Sequence, residues 1–155
     1  MAREANAHPP HEGRSEPPTG WGGVSPTHIN IHTHWWDGSQ IYGSDKTSRD
    51  QVRSGENGKL KIGPDGLIPV DPSSQKHPAD EPGFWIGLAM MHTLFTLEHN
   101  VICDRLRAEY PSWSDDDLFD RARLINTALL AKIHTIEWTP ALLNHPTARR
   151  GLNMN

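Results

Sequence analysis

The chain has 155 residues, with 15 Lys and Arg against 19 Asp and Glu and ten His, for a formal net charge of −4. It has no excess of positive charge, which excludes nucleic acid as the expected partner, since a phosphate backbone calls for a basic footprint. Only 35 % of the residues are hydrophobic, Gly and Pro contribute 13 each, and ten of the prolines fall at or before Pro82, so the first half cannot bury a core by itself.

Cys103 is the single cysteine, which excludes an intrachain disulfide, and its place in an apolar helical stretch predicts a buried thiol. The first 25 residues lack the apolar run of a secretory signal, and no stretch of about 18 apolar residues occurs, which predicts a cytoplasmic protein, soluble or peripheral to a membrane.

Residues 1–27 are rich in Pro, Gly and charge without periodicity and read as a disordered or truncated tail. His28 to Ser44 is dense in His, Trp, Gly and Ser. Beyond it, Asn57-Gly58 and Pro64-Asp65-Gly66 are turn formers between short apolar pieces, and a small hairpin over Lys59 to Val70 is expected. From about Phe84 the pattern changes. Leu88, Met91, Phe95, Ile102 and Leu106 form the stripe of a buried helix that stops before Pro111. Ser114 and Asp117 form a capping box that opens a second helix, with the stripe Leu118, Ala122, Ile125, Leu129, Ile133 and Ile136. Thr139-Pro140 is expected to close it and to start a short third helix, Thr139 as N-cap and Pro140 in the first turn, with 146–155 left as a tail. The class is mainly α, with an irregular N-terminal half.

Four stretches carry candidate chemistry. In Thr33-His34-Trp35-Trp36-Asp37-Gly38-Ser39 the side-chain oxygens of Thr33, Asp37 and Ser39, with the Trp35 carbonyl, suit calcium, which takes several hard oxygens from a curling loop. The same residues also suit a plain turn at Asp37-Gly38 with Ser39 bonding the backbone. His28, His32 and His34 have the alternation that puts imidazoles on one face for zinc, or for stacking with the Trp pair. His92, Glu98, His99 and Asn100 lie in or beside an apolar stripe, so they need bonding partners in a core or contact with a cofactor. His134 and Thr139, near the end of the second helix, could present an imidazolium and a hydroxyl to a carboxylate, or serve only as helix-end groups.

Taken together, THWWDGSQIYGS (Thr33 to Ser44), MHTLFTLEHNVICDRL (Met91 to Leu106) and ARLINTALLAKIHTIEWT (Ala122 to Thr139) resemble consecutive segments of the α-dioxygenases. These are fatty-acid oxygenases of the animal-type haem peroxidase and cyclooxygenase superfamily. The resemblance spans roughly residues 28 to 145 and implies a partial haem peroxidase-like helical domain, with haem b in the parent enzyme. It implies calcium on Thr33, Trp35 through its carbonyl, Asp37 and Ser39, and a fatty-acid carboxylate on His134 and Thr139. An upstream aspartate, a downstream arginine, both haem-facing histidines and the radical tyrosine of the family have no match in the chain. No catalytic residue is therefore assigned, and Tyr42 and Tyr110 match structural positions. The expectation is an internal fragment, inactive alone, whose partners are a fatty acid, haem and the remainder of the domain, with any peripheral membrane contact made by other segments. The alternatives are a haem peroxidase of the same superfamily and a small zinc-binding or interaction module.

Overall fold

The computed structural model describes residues 35–70 and 85–152, all within one unit, His34–Asn155. The expectations for residues 1–27 and for His28, His32, Thr33 and His34 lie outside the described residues. The elements in order are α1 (Ser39–Tyr42), α2 (Lys46–Val52), α3 (Ile86–Glu109), α4 (Asp115–Lys132), a π-helical stretch (Ile133–Trp138), α5 (Thr139–Leu142) and α6 (Pro146–Leu152). The fold is mainly helical, and among the described residues no helix is long and apolar enough to cross a membrane.

The two long helices form because their sequences combine apolar periodicity with helix formers, and their ends follow local chemistry. Ser114 caps α4 by accepting from Asp117 N–H at 3.1 Å, while the Asp117 carboxylate accepts from Ser114 N–H, the reciprocal box expected. Asp115, Asp116 and Asp117 add negative charge where the helix dipole is positive. Between Glu109 and Asp115 the chain turns over Tyr110 and Trp113, whose rings stack at 4.2 Å, and α3 and α4 pack against each other.

The buried faces include Phe95, Ile102, Leu118 and Ala122 of the predicted stripes and add polar positions beside them. On α3 they comprise His92, Phe95, Thr96, His99, Ile102 and Cys103, while Met91 is half exposed. On α4 they comprise Leu118, Phe119, Ala122, Asn126 and Thr127, while Ile125 and Ile136 face outward. Polar side chains that bond across the core complete these faces, and hydrophobicity alone does not register them. A second stripe on α3, through Met90, Leu94, Leu97 and Val101, is exposed.

The expected hairpin over Lys59 to Val70 does not form. Asn57 and Gly58 do reverse the chain, both with positive φ (54° and 71°) and with Lys59 N–H donating to Glu56 C=O at 3.0 Å. The strand partner is upstream instead: Arg53 and Leu60 form a single antiparallel bridge, flanked by Ser54 N–H to Lys59 C=O and Lys61 N–H to Val52 C=O, each 2.9 Å. The Gly63-to-Gly66 turn closes on itself through Gly66 N–H to Gly63 C=O at 3.0 Å and has no flanking ladder.

This reversal is fixed from both helices. Asp115 accepts Gly58 N–H at 2.6 Å and pairs with Arg53, whose guanidinium lies 4.3 Å from the Phe119 ring centroid. From α3, Asn100 brackets Leu60, accepting its N–H at 2.8 Å and donating to its C=O at 3.1 Å. At the centre, Asn126 Nδ2 donates to Tyr42 Oη at 2.8 Å and to Phe95 C=O at 3.0 Å. Tyr42 Oη lies 2.9 Å from His99 Nδ1, and His99 Nε2 lies 2.9 Å from Gly58 C=O. The carbonyl can only accept, so Nε2 carries the proton and Nδ1 accepts from the Tyr42 hydroxyl, which makes His99 neutral. Cys103 Sγ lies 3.4 Å from the same carbonyl, and burial pushes this thiol up to about 12, so it is the inert buried thiol expected.

Burial, opposed in part by the Gly58 hydrogen bond, holds the His99 imidazole down at about 4. The unfolded chain binds this proton near pH 6.5 and the folded chain only near 4, so between these values the unfolded state holds more protons. Stability is therefore expected to fall as pH drops through that window, by about 3 kcal/mol in all, and to level off below it. Urea unfolding at pH 7 and pH 4.5 reads the difference, and a His99→Gln chain is expected to lose much of this pH dependence. An equal slope in both chains would assign the effect to other groups.

Candidate functional site: the Asp37 loop and the His134 turn

Loop 35–39 enters α1 through an Asx turn in which Asp37 Oδ1 accepts Ser39 N–H at 3.0 Å. Gly38 follows with φ 66°, and a Cβ there would lie 2.8 Å from Thr127 Cγ2 and 2.9 Å from Tyr42 Cδ2, so only glycine fits against α4. Arg123 grips the loop from α4, donating from Nε and Nη2 to the Asp37 carbonyl at 3.3 and 3.0 Å. Arg123 goes unnoticed in the sequence, because a basic residue between apolar positions reads as a solvated face. Ser39 is buried and Trp35 exposed. The carboxylate of Asp37 and the hydroxyl of Ser39 thus share one turn, a hard-oxygen set whose chemistry fits calcium. Thr33, the fourth expected ligand, lies outside the described residues. Among the described residues no group of three or more His, Cys, Asp or Glu could hold a metal ion.

The second helix was expected to run as α-helix through Ile136 and to end at Thr139-Pro140. It changes instead to a π-helical stretch at Ile133 and continues without a break into α5, with Trp138 and Thr139 both in helical geometry. Pro140 has no N–H to donate, and its ring crowds the carbonyl four residues back, so widening the preceding turn accommodates it inside a continuous helix. In an α-helix five positions carry a side chain about 140° past a full turn. In a π-helix five positions are the hydrogen-bonding interval, so they nearly close one turn. His134 and Thr139 are thereby brought to one side. Thr139 N–H bonds to His134 C=O, and the Thr139 hydroxyl donates to the same oxygen at 2.6 Å. Residues 146–155, expected as a tail, are helical over Pro146–Leu152.

Two indoles contact the His134 ring. Trp138 stacks on it with centroids 5.4 Å apart and planes at 26°, and Trp36 meets it at 5.0 Å and 59°. His134 and Trp36 are exposed, Trp36 by 58 %. The two regions singled out separately in the sequence therefore meet through Trp36.

The chain matches the animal haem peroxidase family over residues 6–155 and belongs to it. It is 42 % identical over 140 residues to "Alpha-dioxygenase PIOX" of Nicotiana tabacum, covering 90 % of this chain and 22 % of that protein. With "Alpha-dioxygenase 1" of Capsicum annuum the identity is 43 % over 138 residues, covering 89 % and 22 %. A tyrosine-to-phenylalanine variant of Oryza sativa fatty acid alpha-dioxygenase, crystallised with palmitic acid, superposes with a TM-score of 0.76 at 38 % identity, covering 90 % of this chain and 23 % of that one. The chain thus spans about a fifth of the length of the relatives it matches.

The family implies haem, but His99, the most buried histidine among the described residues, does not fit as an axial ligand. Both its ring nitrogens are engaged, by Tyr42 and by Gly58. It is a core group that joins α1, α3 and the Gly58 turn.

Proposed function

We propose that the chain supplies the calcium loop and the carboxylate-binding turn of a haem-dependent fatty-acid oxygenase that adds dioxygen to the carbon next to the carboxylate, giving a 2-hydroperoxy acid. The observation that carries this reading is the π-helical stretch, which sets His134 and Thr139 on one side of their helix although they are five positions apart. The ring N–H of His134 and the Thr139 hydroxyl then offer two bonds to one carboxylate. Without ligand the hydroxyl rests on the His134 carbonyl. The Thr139 amide holds that same carbonyl, so the hydroxyl can rotate to a carboxylate without leaving the carbonyl unpaired. The likeness to fatty-acid dioxygenases, one of them crystallised with palmitic acid, supports the choice of ligand. Haem supplies the oxidising chemistry when bound, and no described residue is given a part in that step.

The proposal is tested in a chimera in which this chain replaces the matching segment of the Oryza sativa enzyme. Palmitic acid is expected to be converted to its 2-hydroperoxide. Thr139→Val, which keeps the shape and removes the donor, is expected to raise the palmitate KM about tenfold, the worth of one hydrogen bond to a charged group. An unchanged KM would remove the reason for preferring a fatty acid. In the same chimera Asp37→Asn keeps the acceptor for Ser39 N–H but loses the charge, and calcium retention measured by elemental analysis is expected to drop at least tenfold, as roughly expected for losing a carboxylate ligand. Full retention would leave Asp37 as a turn residue only.

A further inference from the structure

We infer that Trp36 is a positioning residue for the His134 imidazole, so that the Asp37 loop and the His134 turn act as one device; this rests on the carboxylate reading of His134 given above. Three observations carry it. The Trp36 ring reaches His134 at 5.0 Å even though 58 % of Trp36 is exposed, so burial in the core does not account for its position. The two residues that follow it are held: Arg123 grips the Asp37 carbonyl, and Gly38 lies against Thr127 with no room for a Cβ. Arg123, Thr127 and His134 recur at intervals of four and seven along α4 and its π-helical continuation, which is one helix face. The loop therefore runs along the face that ends at His134, and its anchors aim Trp36 at the ring.

Trp138 makes a second contact with the imidazole, stacked at 5.4 Å. A histidine on a helix otherwise has several rotamers open to it, and fixing one costs free energy at the moment a ligand binds. Two indoles remove that freedom before the ligand arrives and leave the ring edge, where the N–H groups are, for hydrogen bonding. Trp36 need not touch the ligand to do this. Because it stands between Trp35 and Asp37, whatever orders that loop also orders the imidazole.

The test uses the full chain with ¹³C,¹⁵N-labelled histidine and hexanoate as a soluble carboxylate, with hexanol as its uncharged control. The His134 ring signal is assigned by its loss in His134→Gln. In the unaltered chain hexanoate is expected to shift that signal and hexanol to leave it in place. Trp36→Leu is expected to move the ligand-free His134 signal by loss of the indole ring current and to weaken hexanoate at least fivefold, while the His145 signal stays fixed. Trp36→Phe, which restores an aromatic face, is expected to recover most of the affinity. If Trp36→Leu folds, judged by the unchanged His99 signal, and leaves both the His134 signal and the hexanoate affinity as they were, the inference is overturned. If hexanoate leaves His134 unmoved in the unaltered chain, the carboxylate reading itself fails and this inference falls with it. If hexanoate binds through His134 with equal affinity in the leucine variant, only the role of Trp36 is lost.

Discussion

His99→Leu is expected to destabilise the fold by about 3–5 kcal/mol, because it removes a hydrogen bond from each of two buried partners at about 1–3 kcal/mol each. The Tyr42 hydroxyl loses its acceptor, and the Gly58 carbonyl loses the ring N–H. Neither reaches water, since Tyr42 is fully buried and Gly58 is covered by α4. Leucine nearly fills the volume, so the loss comes mainly from hydrogen bonding rather than from a cavity. Relative to a total of about 5–15 kcal/mol for a typical domain, this is enough to abolish a cooperative transition in a marginal one. Urea unfolding followed by circular dichroism reads it, and a loss under about 1 kcal/mol would mean that the network is not a stabilising element.

The second large effect is expected at Gly58. An added Cβ would lie 2.5 Å from the Phe119 nitrogen and 2.8 Å from the Leu118 carbonyl carbon, and φ is +71°. These are backbone atoms of α4, and they cannot move aside as the end of a flexible side chain can. Gly58→Ala therefore combines left-handed strain of about 1 kcal/mol with overpacking of about 1–3 kcal/mol. Gly55 is the control: its φ is +82° and nothing lies within 4 Å of a Cβ built there. Gly55→Ala is expected to show the strain alone, about 1 kcal/mol. Equal losses at the two positions would show that the turn does not press on α4.

The residues that announced this structure were those whose effect is local. Ser114 and Asp117 predicted the start of α4, Pro111 the end of α3, and the Asn57-Gly58 dipeptide a reversal, because caps and turns depend on a few neighbouring atoms. The partner of the Leu60 segment was misplaced, towards Val70 rather than Val52, because the segment is held by Asp115 and Asn100, which are distant in the chain. The stripes found Phe95, Ile102, Leu118 and Ala122 but not Asn126 and His99, which are core residues by virtue of their hydrogen bonds, and hydrophobic periodicity cannot register those. The π-helical stretch left one trace in the sequence, Pro140 in a segment otherwise apt for helix, and that trace reads equally well as a stop. His134, Thr139, Trp35, Asp37 and Ser39 were singled out on residue type and on family resemblance. Trp36, Trp138 and Arg123 were missed, because ring contacts and a guanidinium on a carbonyl follow only from the packing of the loop on α4.

Whether one side of the π-helical turn receives a fatty-acid carboxylate is read from a crystal structure of the chimera with palmitic acid. Carboxylate oxygens are expected at hydrogen-bond distance, about 2.7–3.2 Å, from a His134 ring nitrogen and from Thr139 Oγ1, with the hydroxyl turned away from the His134 carbonyl. Palmitic acid seated with its carboxylate elsewhere, and the Thr139 hydroxyl still on that carbonyl, would contradict the carboxylate reading.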